Sequence, residues 1–215
     1  MPRLLVLRHA QSVWNAGGLF QGWSDAPLSE LGEAQAKRAG RALATVGVRP
    51  GLVACSDLAR ARRTAKVLAA EAGYDKPLLV DVGLREQDLG DWNGLTRAEV
   101  EARWPAELAE RRRSRLVDVP GGESAAEFVE RCLAALGNVG AALCRSGEEV
   151  AVAVTHGGVV VALEQALGVG QEGMRHPNLS GWWLEVRGPG GLVDMVAAEH
   201  VELASAGVEN TARSL

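Results

Sequence analysis

The chain has 215 residues, 47% of them apolar, and a net charge of −4. That length and apolar share suit one domain with a full core, read as residues 1–204, ahead of a small polar tail at 205–215. The charge balance excludes a bulk electrostatic case for nucleic acid or an anionic membrane, so an anionic ligand needs a local cluster of cations. In chain order, the Leu-Leu-Val-Leu run at 4–7 reads as a buried parallel strand. A loop rich in Gly, Asn and Asp covers 15–27, and an amphipathic helix opened by Ser29 runs to 46. A short strand at 52–55 leads into a helix at 58–72, which Gly73 stops. A third strand covers 78–82, and 84–95 is a loop. A strongly charged helix at 96–115 ends before Pro120-Gly121-Gly122. Helical periodicity returns over 123–144. The β-branched strand at 149–155 passes through His156-Gly157-Gly158 into a helix at 159–167. Segments 182–187 and 192–198 flank Gly188-Pro189-Gly190-Gly191 as a hairpin. Alternating strands and helices predict an α/β three-layer sandwich, with a mostly parallel central sheet and helices on both faces.

Cys55, Cys132 and Cys144 are odd in number and lack metal-ligand spacing, which fits a reduced, cytoplasmic protein. The apolar run before Arg8 is too short for a signal peptide or a membrane span. His9, His156, His176 and His200 show no HExxH or CxxC arrangement, so neither a metal site nor a cofactor is expected.

Arg8-His9 closes the first strand, where ligands bind in open α/β folds. An imidazole can act as a nucleophile, and a guanidinium can grip an oxyanion by two hydrogen bonds. His156 closes a second strand and precedes a helix N-terminus, which offers N–H groups to an anion. Arg60 lies in the first turn of the helix after the 52–55 strand. A cation there opposes the helix dipole, and a bound anion would explain it. Arg62 and Arg63 read as a solvated face. Glu86, just past the third strand, can protonate a leaving oxygen if its surroundings favour the neutral acid. Asp88 and Asp91 compete for that role.

These residues fall in recognisable blocks. Leu7-Arg8-His9-Ala10-Gln11-Ser12-Val13-Trp14-Asn15 resembles the signature of the histidine phosphatase superfamily, which includes cofactor-dependent phosphoglycerate mutases. Phe20-Gln21-Gly22-Trp23-Ser24-Asp25-Ala26-Pro27-Leu28-Ser29, Ser56-Asp57-Leu58-Ala59-Arg60-Ala61, Leu84-Arg85-Glu86, Pro120-Gly121-Gly122-Glu123-Ser124 and Thr155-His156-Gly157-Gly158 follow in the family's order. The resemblance implies a phosphoglycerate mutase-like fold and a phosphohistidine at His9. Arg8, Arg60 and His156 would complete the phosphate pocket, and Glu86 would be the proton donor. Asn15, Gln21, Gly22 and the Gly157 N–H would add substrate contacts. Ala10, Gln11 and Leu19 depart from the usual Gly, acid and Arg, but leave these groups intact.

Within that family, Leu89 at the mutases' tyrosine position, Gly158 in place of asparagine and a short 96–120 segment favour phosphatase. The expected activity is metal-independent hydrolysis of a small phosphomonoester, a sugar phosphate or a phosphoglycerate-type compound. A mutase is the alternative, and a phosphate-binding protein without turnover is a third reading. Arg97 and the cluster Arg111, Arg112, Arg113 and Arg115 read either as a solvated helix face paired with Glu107 and Glu110, or as a grip on a second substrate anion. Trp14, Trp23 and Trp92 line a pocket mouth or pack. The C-terminal hairpin reads either as a free sheet edge or as the contact of a homodimer.

Overall fold

The computed structural model describes residues 1–170 and 176–205; most of the predicted tail lies outside the described residues. Its order is β1 (Arg3–Arg8), α1 (Val13–Ala16), α2 (Glu30–Thr45), β2 (Leu52–Cys55), α3 (Ala59–Glu71), β3 (Leu79–Val80), α4 (Arg97–Arg103), α5 (Pro105–Ser114), α6 (Ala125–Ser146), β4 (Val150–Thr155), α7 (Gly157–Leu167), β5 (Ser180–Val186) and β6 (Met195–Glu202). The six strands form one sheet in the order β3-β2-β4-β1-β5-β6. β1 to β4 are mutually parallel, while β5 and β6 add an antiparallel edge.

Alternation along the central strands feeds two cores. Leu5, Leu7, Val53, Cys55, Val152 and Val154 face α2 and α3 on one side. Leu4, Val6, Ala54, Ala151 and Ala153 face α6 and α7 on the other. This is the three-layer sandwich that the alternation of elements predicts. Trp183 and Trp182 follow the same rule at β5, one to each face. The helices of the first face approach closely because their contact residues are small. A Cβ on Gly40 would stand 2.5 Å from the Leu68 carbonyl of α3.

The charged 96–115 segment is two helices rather than one. Pro105 disfavours helical backbone at Trp104, whose φ is −136°, and restarts the helix as its first residue. α4 and α5 close over a third core containing Leu89, Trp92, Val100, Leu108, Val117 and Val119. Trp92 is fully buried there, so of the three motif tryptophans it packs rather than lining a mouth. The chain thus builds a small cap over the carboxyl ends of β1, β2 and β4.

Candidate active site

Those three strands bring the predicted residues to one edge. Arg8 is in register with Thr155, and the His9 N–H donates to the Thr155 carbonyl at 2.8 Å. His9 and His156 therefore stand side by side, ring centroids 5.2 Å apart. Arg60 reaches them from α3. Its Nη1 and Nη2 donate to the carbonyls of Ser24 and Gly22, both at 2.8 Å. That grip leaves Nε–H to donate to His9 Nε2 at 3.2 Å.

The other His9 nitrogen, Nδ1, lies 2.7 Å from the Ala10 carbonyl. A carbonyl only accepts, so Nδ1 carries the proton and Nε2 carries the lone pair. Burial, reinforced by Arg60 and Arg8, pushes the His9 pKa well below its usual 6.5, although the bond to Ala10 opposes the shift. His156 is lowered in the same way by burial, Arg60, His9 and Arg8. Both rings are neutral near pH 7. His156 is completely buried, and neither ring nitrogen has a hydrogen-bond partner among the described residues. Buried polar atoms of that kind call for a partner, and a phosphoryl oxygen can supply one. Burial also lowers the Arg60 pKa, to about 10, and lowers that of Arg8, in both cases against the pull of Glu86. Both remain cations.

Glu86 sits at the N-terminus of α7, where its Oε2 accepts from the Gly158 N–H at 3.1 Å. Trp23 and Arg131 hold its main chain by donating to its carbonyl. A cleft of about 350 Å³ ends on Arg8, Glu86, Gly157 and Gly158. Asp88 instead caps its own loop, accepting from Gly90 N–H and Asn93. Asp91 lies at the Pro120-Gly121 turn, its N–H donating to the Pro120 carbonyl at 2.9 Å. Glu86 alone of the three carboxylates lines the cleft. Gln21 is buried, accepting from Ser12 Oγ at 2.8 Å. Asn15 caps α1 and also meets Asn178.

The arginine cluster divides. Arg113 pairs with Glu110 in solvent. Arg97, Arg111, Arg112 and Arg115 turn into the cleft wall, with half-buried Arg111 donating to Gln87 Oε1 at 3.0 Å. Arg112 also pairs with exposed Glu101. Arg115 pairs with buried Glu164 at 3.2 Å. Sequence reading misses His176 and Asn178, which reach the Arg8-His9 corner from the far end of the chain, and Glu164, which lies against the His176 ring. No local pattern marks them, because their contacts are long-range.

Neutral imidazole with a directed lone pair, flanking guanidiniums and a carboxylate at a helix N-terminus form an arrangement chemically able to hold a phosphoryl group. Residues 4–197 match the histidine phosphatase superfamily (branch 1), and the chain belongs to that family. The 2,3-bisphosphoglycerate-dependent phosphoglycerate mutase of Methylocella silvestris is 49% identical over 136 residues, covering 62% of this chain and 66% of that protein, just under two thirds of its length. The glucosyl-3-phosphoglycerate phosphatase of Mycolicibacterium vanbaalenii is 37% identical over 227 residues, covering 97% of both chains. Among solved structures, a mycobacterial glucosyl-3-phosphoglycerate phosphatase in complex with VO3 superposes with a TM-score of 0.72 at 32% identity, covering 86% of this chain and 93% of that one.

Proposed function

We propose that the protein is a phosphomonoester hydrolase working through phospho-His9, with a phosphoglycerate-type or sugar phosphate substrate. The observation that carries this is the directed lone pair at His9 Nε2, held by Ala10 behind it and Arg60 beside it. Nε2 attacks phosphorus in line with the departing oxygen. Arg8, Arg60 and His156 offset the charge on the phosphoryl oxygens, so positioning and electrostatics supply most of the catalysis. Glu86 gives its proton to the leaving alkoxide. It then takes one from the water that attacks phospho-His9, returning His9 to its starting state and releasing phosphate. The cations already present provide the charge that a metal would otherwise supply, and we propose a metal-independent reaction.

The relative aligned along nearly the whole chain is a phosphatase, which supports hydrolysis over mutation. Gly158 beside Glu86 supports it too, because the family's mutases carry asparagine there. The mutase reading draws on the Methylocella silvestris relative and on the cleft arginines. Among the described residues no helix is long and apolar enough to cross a membrane. Free Cys55 and Cys132, both buried, support a reducing location, the cytoplasm.

The test is phosphate release from p-nitrophenyl phosphate, sugar phosphates and 3-phosphoglycerate, with chelator present. His9→Ala is expected to lower release by about 10³-fold or more, as loss of a nucleophile does. Isomerisation of 3-phosphoglycerate outpacing phosphate release, once primed with 2,3-bisphosphoglycerate, would replace the phosphatase with the mutase.

A further inference from the structure

We propose that Asn178 is a positioning residue for the nucleophile, and that the turn His176-Pro177-Asn178-Leu179 is a clamp on the Arg8-His9 dipeptide. The inference rests on the phospho-His9 reading. Each polar group of that dipeptide's trailing edge is held from this turn. The Arg8 guanidinium donates to the His176 carbonyl at 2.5 Å. The Leu179 N–H donates to the Arg8 carbonyl at 3.1 Å. The Asn178 amide donates to the His9 carbonyl at 2.9 Å, and also to Asn15 Oδ1 at 3.3 Å.

The backbone shows that this arrangement is imposed. Leu179 has φ +60° and is completely buried. A bulky side chain in the left-handed region costs free energy that the surroundings must offset, and such residues gather where geometry matters. With this backbone, the Leu179 N–H and the Asn178 side chain both reach the end of β1.

Asn178 has a second consequence. The Asn15 oxygen already accepts from the Ser12 N–H at 3.3 Å. With Asn178 added, two donors occupy Oδ1, so the Asn15 NH₂ is presented from the opposite end of the amide. A phosphoryl oxygen needs that donor. Asn178 therefore fixes the polarity of Asn15 as well as the placement of His9, without itself touching substrate.

A double-mutant cycle on p-nitrophenyl phosphate hydrolysis separates positioning from scaffolding. Asn178→Ala is expected to lower kcat/KM about 10-fold, but only about threefold in an Asn15→Ala background, because groups in one network couple. Asn178→Asp keeps the side-chain shape and removes the donor. It is expected to lose activity as Asn178→Ala does, with Tm close to wild type. Equal costs of Asn178→Ala in the two backgrounds, or an active Asn178→Asp, overturn the clamp. If wild-type protein hydrolyses nothing, the phosphatase reading fails by itself, and vanadate titration decides the clamp. Weaker vanadate binding by Asn178→Asp supports it, and unchanged or undetectable binding overturns it.

Discussion

Histidine at position 9 is set by two neighbours and by its burial. The Ala10 carbonyl chooses its tautomer, Arg60 steers its lone pair, and burial keeps it neutral. The pH consequence has a definite sign. In the unfolded chain His9 and His156 protonate near their usual 6.5, whereas in the folded chain both are held well below it. Between those limits the unfolded state binds more protons, so stability rises with pH. Their contribution is present above about pH 6.5 and is lost as pH falls toward the folded values. Tm should fall as pH drops below 6.5, and less steeply in His156→Asn. A pH-independent difference between the two proteins would show that His156 is not held neutral. Gly158 makes a second prediction at this scale. A Cβ there would stand 2.1 Å from Glu86 Oε1, which accepts from the Gln87 N–H, and 3.1 Å from Phe128 Cζ. The carboxylate and the buried ring must both shift, so Gly158→Ala should fold with a lowered Tm and lose activity as Glu86→Gln does. The loss should be greater with an alkyl phosphate than with p-nitrophenyl phosphate, whose acidic leaving group needs less help from a proton donor.

Elements were legible in the sequence where burial makes the pattern. The 4–7 and 149–155 runs became the central strands β1 and β4, and the helix opened by Ser29 became α2 with Ser29 as its N-cap. Two elements read differently for local reasons. β3 has only Leu79 and Val80, exposed at the sheet edge, so little tertiary pairing backs the longer apolar run. α1 is a single turn built by the Ser12–Asn15 capping box rather than by periodicity, and it is too short to announce itself. The site was legible wherever a residue follows a strand. Asn178 and Glu164 were not, since each acts through partners distant in sequence. Glu164 shows what this conceals. It is 2% exposed and sits on α7. It accepts from Trp182 Nε1 at 2.8 Å and pairs with Arg115 and His176 at 3.2 and 3.1 Å. Removing a buried carboxylate strands its partners, at a typical cost of about 3–5 kcal/mol. Glu164→Leu should therefore lower stability by roughly 3 kcal/mol in urea unfolding. A change below about 1 kcal/mol would show that Arg115 and His176 find other partners.

Across the whole molecule the charge distribution opposes the net charge. The chain carries −4, yet Arg8, Arg97, Arg111, Arg112 and Arg115 all border one cleft in which Glu86 is the single carboxylate among the described residues. Many other acids sit in exposed pairs, such as Glu33 with Arg63 and Glu71 with Arg41. A phosphorylated anion approaching at random meets a weakly repulsive surface, but one opening attracts it. Low-dielectric walls focus that field, and salt screens it beyond about 10 Å at 0.1 M ionic strength. The effect belongs to encounter rather than to chemistry, because the side chains proposed to hold the phosphoryl group, His9, Arg60 and His156, are themselves buried from solvent ions. Raising ionic strength from about 0.01 to 0.15 M should lower kcat/KM several-fold while leaving kcat nearly unchanged. The fall should be steeper for 3-phosphoglycerate, whose carboxylate adds a charge, than for p-nitrophenyl phosphate. Arg112→Gln should flatten the 3-phosphoglycerate slope, since Arg112 stands at the exposed rim and is paired only with Glu101 across it. Equal slopes for the two substrates in wild type would mean that the second anion never senses the arginine wall, and that those residues serve the cap's packing instead.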